Sequence, residues 1–281
     1  MPENIAVVAN TNKPAARRLA QMVARDFKDN PQYRVVLSED YDDDLSRQDF
    51  ILLVVFGGDG TVLGAVSRFR GDSVPPVLAF NLGRLGYLAG NSPKGVVKKI
   101  RDALKNKLAG SNRLMLKILL PRQKKTALFA LNEVVLSPAQ HGRMIPLQVT
   151  VNGEEVMYTR GDGVIVATPT GSTAYALSVG GPIASPELEA MIIAHICPHL
   201  LANRPLVLGP RDRICLVHHA DGPAELILDG FNRQQVEPGE ITEVMAAPTK
   251  VCLLSPPTGR FAIFREKLGW SFEKGRFPLK P

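Results

Sequence analysis

Ile51-Leu52-Leu53-Val54-Val55-Phe56-Gly57-Gly58-Asp59-Gly60-Thr61 is the stretch that decides the fold. Its unbroken aliphatic and aromatic run lacks the alternation of a half-exposed strand, so it reads as a strand covered on both faces and implies a parallel sheet. A glycine-rich turn follows at once, and then Val62, Ala65, Val66 and Phe69 recur at helical spacing. At such a strand-to-helix turn, glycines let a phosphate approach the backbone, and the first amides of the helix favour negative charge. Gly57, Gly58, Gly60 and Thr61 are therefore the expected phosphate-binding loop. A carboxylate beside phosphates is unfavourable unless it binds a metal or takes up a proton, so Asp59 points to phosphoryl transfer. The same letters also suit a plain turn in which Asp59 caps the helix. The chain has no Gly-x-x-x-x-Gly-Lys-Ser/Thr, which argues against a P-loop enzyme.

Working outward, Ile5–Ala9, Val35–Leu37 and Val77–Phe80 read as further strands of that sheet. Helices are expected after Pro14, with Leu19, Met22, Val23 and Phe27 inward, and after Ser92-Pro93, with Val97, Ile100, Leu104 and Leu108 inward. Beyond Gly110 short apolar runs recur between turn signals: 114–120, 127–136, 147–151, 164–167, 206–208, 214–217, 226–228 and 251–254. Asn152-Gly153 between two of them predicts a tight hairpin. A helix is expected over Glu187–Ile196, and another over Phe261–Trp270 packing back on the first half. The expected architecture is an α/β N-terminal domain (1–110 joined by the tail 259–281) and a mostly β, sandwich-like second domain (111–258) with an inserted helix. The ligand cleft lies between them.

Composition sets the limits. The chain has 281 residues, 45% of them hydrophobic, enough for two cores, and 34 Lys+Arg against 27 Asp+Glu give a formal charge of +7. That balance suits anionic partners. The apolar runs are too short to span a bilayer and the N-terminus has no secretory layout, so a cytoplasmic protein with no membrane partner is expected. Cys197, Cys215 and Cys252 form no paired motif and read as buried thiols. His141, His195, His218 and His219 lack metal-ligand spacing, and His195 reads as part of an apolar helix face, so no protein metal site is expected. The basic cluster around Lys98, Lys99, Arg101, Lys105 and Lys107 is a solvated helix face, not a nucleic-acid site. Glu133 inside an apolar run is costly to bury without a partner. Thr170–Tyr175 gathers hydroxyls, small residues and a ring suited to phosphate and base contacts. Asp162, between two glycines, fits an exposed turn facing an amide or hydroxyl, or one that it merely shapes.

The Gly57–Thr61 turn resembles that of the superfamily of NAD kinases, diacylglycerol kinases and phosphofructokinases, and four further segments resemble NAD kinases in particular. These are Asn81-Leu82-Gly83-Arg84-Leu85-Gly86-Tyr87-Leu88; Leu131-Asn132-Glu133; Gly161-Asp162-Gly163 running on through Thr168-Pro169-Thr170-Gly171-Ser172-Thr173-Ala174-Tyr175 to Ile183; and Ile196–His199 with Arg204-Pro205 and Phe264–Trp270. The resemblance implies transfer of the γ-phosphate of ATP, or of another donor, to the adenosine-ribose 2′-hydroxyl of NAD. It implies Asp59 as base and a divalent cation, magnesium, bridging the donor phosphates. The NAD site it implies comprises Asp59, Gly60, Tyr87, Asn132, Glu133, Arg143, Arg160, Asp162, Thr173, Ala174, Tyr175 and Ser178, with Asn132-Glu133 at the adenosine ribose and Asp162 at the nicotinamide end. A homo-oligomer, dimer or tetramer, is also implied. The rivals are a lipid kinase sharing the glycine-rich turn and a non-catalytic NAD(H) sensor. Two positions depart from the family pattern: Tyr87 stands for the usual Phe, and Phe231 follows Asp229-Gly230 where many members have Gln.

Overall fold

The computed structural model describes residues 2–38, 44–69, 73–83, 86–123, 127–140, 143–200, 202–254 and 262–269. Arg84, Leu85, His141 and Trp270 lie outside these ranges. The N-terminal layer runs β1 (Glu3–Ala9), α1 (Pro14–Asp26), β2 (Tyr33–Ser38), β3 (Phe50–Gly57), α2 (Asp59–Ser67), β4 (Val77–Asn81), α3 (Val96–Leu104) and β5 (Gly110–Arg113). As the apolar run at 51–56 requires, β3 is central and pairs in parallel with β1 and β4. Leu52 to Phe56 are 0–2% exposed because the strand is covered on both faces. On one face Leu53 and Val55 meet Val62, Val66 and Phe69 of the α2 region; on the other Val54 and Phe56 meet Val23 and Phe27 from α1 and Ile100 from α3. Burying each of these large side chains contributes roughly 1.5–3 kcal/mol.

The second half comprises β6 (Leu116–Leu119), β7 (Leu128–Ala130), β8 (Glu133–Pro138), β9 (Ile145–Val151), β10 (Glu154–Gly161), β11 (Gly163–Ala167), α4 (Tyr175–Ser178), β12 (Met191–Ile196), β13 (Leu206–Leu208), β14 (Arg213–His218), β15 (Ala224–Leu228), β16 (Asn232–Val236), β17 (Thr242–Ala246) and β18 (Val251–Leu254). Two antiparallel sheets, ordered β10-β9-β14-β17-β6-β7 and β13-β12-β11-β8-β15-β16, form the sandwich. Alternate residues such as Ile118, Leu147, Val149 and Leu216 from the first and Val134, Val164, Val166 and Ile193 from the second fill the space between them. The β9-β10 hairpin turns at Asn152-Gly153, whose φ values of 54° and 87° are those the sequence signal required. After the sandwich, α5 (Ala262–Leu268) returns to the first half, where Phe264 packs on Tyr87 with ring centroids 6.0 Å apart.

Three expectations are corrected. Met191–Ile196 is not helical: it is β12, wholly buried between β11 and β13. A strand buried on both faces shows no alternation, and Glu187, Leu188, Glu189 and Ala190 biased the reading towards a helix. The inserted helical element is instead the 3-10 turn Gly171–Thr173 with α4, which covers the outer face of β11 and β12. His195 accordingly sits on a strand, its Nε2 buried without a protein partner, and burial lowers its affinity for a proton. The cysteines are not all buried: Cys197 is exposed in the turn after β12, and Cys215 and Cys252 are half-covered. Finally, the first sheet is ordered β2-β1-β3-β4-β18-β5, so chain on both sides of the sandwich, including Ser111–Arg113 and Val251–Leu254, belongs to it.

Candidate active site

In the first sheet β1 and β3 are neighbours whose following connections diverge, β1 leading to β2 on one side and β3 to β4 on the other. The crevice beyond the carboxyl ends of such strands is where open α/β sheets bind ligands. Asn10, just after β1, donates from Nδ2 to Thr61 Oγ1 at 3.3 Å, tying the two strand ends together. The turn glycines then divide in purpose. A side chain on Gly57 would collide with Thr61, whereas Cβ atoms on Gly58 or Gly60 would meet nothing within 4 Å. The space above Gly58 and Gly60 is open to a ligand. Lys13, which sequence reading left aside, brings its ammonium here: a methyl group on Gly83 would lie 3.6 Å from Lys13 Nζ.

Asp59, the first residue of α2, is held by the second motif. Its Oδ2 accepts the amide of Tyr87 at 2.8 Å, and its Oδ1 accepts those of Leu88 and Ala89 at 3.0 Å each. A carboxylate has about four acceptor positions. One position on Oδ2 is left for a substrate hydroxyl. Gly86 is needed for this clamp, because a Cβ there would occupy the place of the Asp59 carboxylate.

Leu88, Ala89 and Leu131 share one core, which brings the adjoining Asn132-Glu133 pair to the same boundary. The amide of Thr168 donates to Asn132 O at 2.8 Å, and Thr168 Oγ1 donates to Leu131 O at 2.7 Å. Gly171 lies against the Asn132 carbonyl so closely that no side chain fits. Ser172 Oγ is spent internally on Pro169 O. Asn132 Oδ1, Glu133 Oε2 and Thr170 Oγ1, by contrast, are buried with no protein partner. Buried polar atoms rarely stay unpaired in the working state of a protein, so this trio marks a ligand surface. Thr173 and Ala174 are half-covered, and Tyr175 and Ser178 are exposed beside it. Tyr175, at 43% exposure, is not a core ring.

The structure does not gather every expected residue. Ala167 faces Glu133 across the β8-β11 ladder, and Val164 faces Leu136. Asp162, five residues before Ala167, therefore lies beyond the other end, roughly 16 Å away at 3.3 Å per residue. There Arg143 and Arg160 line a separate cavity with Met144, Pro146, His219 and Asp221, and Asp162 is exposed with its amide on Ile196 O at 2.9 Å. Among the described residues, no three His, Cys, Asp or Glu side chains converge as a metal cage.

Burial, reinforced by the charge of Asp229, pushes the Glu133 carboxyl from an ordinary 4.5 up to about 8. In the free protein at neutral pH it carries a proton and can donate one hydrogen bond while accepting another. Between those two values the unfolded chain has lost a proton that the folded chain keeps, so stability falls as pH rises from about 4.5 to about 8. Glu133→Gln removes this ionisation. Its melting temperature relative to the parent should climb between pH 5 and pH 9, while kcat/KM for a ribose-bearing substrate changes little at neutral pH, where the amide keeps one donor and one acceptor. A pH-independent difference in melting temperature would mean that Glu133 is ionised throughout.

Both halves of the chain match models of one family. The model of the ATP-NAD kinase N-terminal domain matches residues 41–108, and that of the ATP-NAD kinase C-terminal domain matches residues 131–255. An NAD kinase of Marinobacter nauticus is 37% identical over 227 residues, 79% of this chain and 77% of its own. The chain belongs to the NAD kinase family. Its likeness to an NAD kinase of Pseudomonas entomophila is equal, 37% over 229 residues, covering 80% of this chain and 77% of that one. Among solved structures, yeast NADH kinase complexed with NADH superposes with a TM-score of 0.86 at 25% identity, covering 100% of this chain and 90% of that one. An NAD kinase from Archaeoglobus fulgidus in complex with ATP gives 0.78 at 26% identity, covering 96% and 100%.

Within this NAD kinase fold the two departures have different surroundings. Tyr87 packs against Phe264 with the rings tilted at 49° and lies 6.0 Å beneath the Lys267 ammonium, so its ring joins α5 to the loop that holds Asp59. Phe231 projects from the tip of the β15-β16 hairpin at 44% exposure. Asp229, just before it, escaped notice because Asp-Gly between two strands reads simply as a hairpin turn.

Proposed function

We propose that the protein is an NAD kinase in activity as well as in family, transferring the γ-phosphate of ATP to the 2′-hydroxyl of the adenosine ribose of NAD. The observation that carries this is Asp59: a carboxylate at a helix start, fixed by three amides, with one acceptor position open at a switch-point crevice. In the proposed step the 2′-hydroxyl gives its proton to Asp59 Oδ2 as its oxygen bonds to the γ-phosphorus. The bond from that phosphorus to the bridging oxygen breaks, and ADP leaves with the electron pair. Asn132, Glu133 and Thr170 receive the adenosine end, Tyr175 covers it, and Gly58, Gly60 and Lys13 face the donor phosphates. Positioning of this kind provides most of the rate in loose phosphoryl transfers.

The likeness to one kinase solved with NADH and another solved with ATP supports both ligands. The donor set suits a magnesium ion that enters on the phosphates with its waters, since three acceptor positions of Asp59 are taken by amides. Bound there, it would neutralise charge on the β- and γ-phosphate oxygens. Asp162, roughly 16 Å along the strand from the level of Glu133, suits the nicotinamide end of a dinucleotide whose adenosine ribose meets Asn132 and Glu133; a homo-oligomer rests on the family resemblance alone. No helix among the described residues is long and apolar enough to cross a membrane. Three free thiols support the cytoplasm as the compartment.

A coupled NADP-formation assay with NAD and NADH against several phosphoryl donors tests the reading. NAD lacking the adenosine 2′-hydroxyl should bind yet yield no phosphorylated product. A phosphorylated deoxy analogue would place the transfer at another atom, and binding of NAD with no turnover would make the protein a sensor.

A further inference from the structure

Asp229 stands at the end of β15, 9% exposed, in the left-handed conformation at φ 50°. Its Oδ2 accepts the amide of Leu131 at 2.8 Å, and its Oδ1 accepts those of Asn132 at 2.7 Å and Glu133 at 3.2 Å. Its own amide donates to Glu133 O at 3.0 Å. A hairpin turn needs only the backbone conformation, which Asp or Asn tolerates and which Gly230 continues at φ 82°. It does not need a buried carboxylate, which is costly to desolvate and is retained here against three amides almost a hundred positions away in sequence. The arrangement repeats what Asp59 does with Tyr87, Leu88 and Ala89: one carboxylate gathers three successive amides and sets the direction of that segment. The segment Asp229 gathers is the one whose side chains carry Asn132 Oδ1 and Glu133 Oε2, both buried and both without a protein partner.

We propose that Asp229 is a positioning residue for NAD recognition: by holding the amides of Leu131, Asn132 and Glu133 it fixes how the Asn132 and Glu133 side chains meet the adenosine ribose. This rests on the NAD-kinase reading above. Asp229, at 9% exposure, presents little surface of its own and acts through the pair it holds. Burial raises the affinity of Glu133 for a proton and the charge of Asp229 adds to it, which ties the hydrogen-bonding character of that side chain in part to the same holder.

The test uses Asp229→Asn, Asp229→Ser, Asn132→Ala and the double variant Asp229→Asn/Asn132→Ala. NAD dissociation constants are measured by calorimetry, which needs no turnover, and KM values for NAD and ATP by the coupled assay. Asp229→Asn should raise both the dissociation constant and the KM for NAD by about tenfold or more, with KM for ATP unchanged, because its Nδ2 would face the Leu131 amide donor to donor in a buried place, unlike the half-covered Asp59. Asp229→Ser, which keeps one acceptor, should weaken NAD binding as well. In the Asn132→Ala background most of the effect should vanish. On the unaltered protein, hydrogen exchange at the amides of Leu131, Asn132 and Glu133 should be as slow before NAD is added as after.

A lowered melting temperature with unchanged NAD binding would make Asp229 a brace of the hairpin and overturn the proposal. So would strictly additive effects with Asn132→Ala, or amide exchange at 131–133 that slows only when NAD binds. Unaltered protein that binds NAD without phosphorylating it would sink the kinase reading alone; failure to bind NAD would sink both.

Discussion

Asp59→Asn should lower kcat by on the order of 10²-fold or more while leaving the NAD dissociation constant nearly unchanged. The asparagine can turn its Oδ1 towards Leu88 and Ala89 and keep two of the three amide bonds, so the loop stays in place apart from the Tyr87 contact. What it loses is a group that can take up the proton of the attacking hydroxyl. The split between kcat and dissociation constant separates this from loosening of the loop, which would weaken binding too. Near-normal turnover in Asp59→Asn would remove the residue from the role of base and leave it as a clamp for residues 87–89.

Gly171→Ala should be strongly damaging for the addition of a single methyl group. Its Cβ would overlap the backbone of Asn132, lying 2.8 Å even from the Cα, and a backbone cannot rotate aside as a flexible side chain can. Either the Thr168–Tyr175 segment or the Asn132 segment has to move, and overpacking of this kind costs about 1–3 kcal/mol. For a chain of this length that corresponds to a fall in melting temperature of roughly 2–4 °C per kcal/mol. KM for NAD should rise at least about tenfold, because the two segments proposed to receive the adenosine end are forced apart. The control is Gly58→Ala, where the new methyl group meets no protein atom and φ is −103°. It should fold with an unchanged melting temperature yet lose activity, since the only thing its Cβ can obstruct is a ligand. A Gly171→Ala protein with normal stability and normal KM would show that the contact yields easily and does not hold the site.

These two variants divide the molecule as the sequence and the structure divide it. Ile51–Phe56 and the turn after it made the parallel sheet, the helix start and Asp59 legible, because each is encoded within a dozen neighbouring residues. A doubly covered strand has to be apolar throughout, and a phosphate turn has to lack side chains where the ligand comes closest. Asn152-Gly153 settled its hairpin for the same reason: two adjacent positive φ values are a local steric requirement. Most of the candidate site, from Asp59 to Ser178, was legible through motifs that lie contiguous in the chain.

What the sequence did not contain were pairings between distant segments. Met191–Ile196 became a strand because β11 and β13 stood on either side to satisfy its amides and carbonyls, and no window around it records those partners. β18 left the sandwich for the first sheet through its ladders with β4 and β5. Asp229 acquired its partners at Leu131, Asn132 and Glu133 only when β15 lay beside β8. The spacing of Asp162 from Glu133, which motif reading assigned to the two ends of one dinucleotide, came from the β8-β11 register. Local sterics and periodicity fixed the elements and placed Asp59 at a helix start; which carboxylate holds which loop, and how far apart the candidate binding residues stand, was decided by strand order and register, which hydrogen bonding between segments far apart in the chain alone establishes.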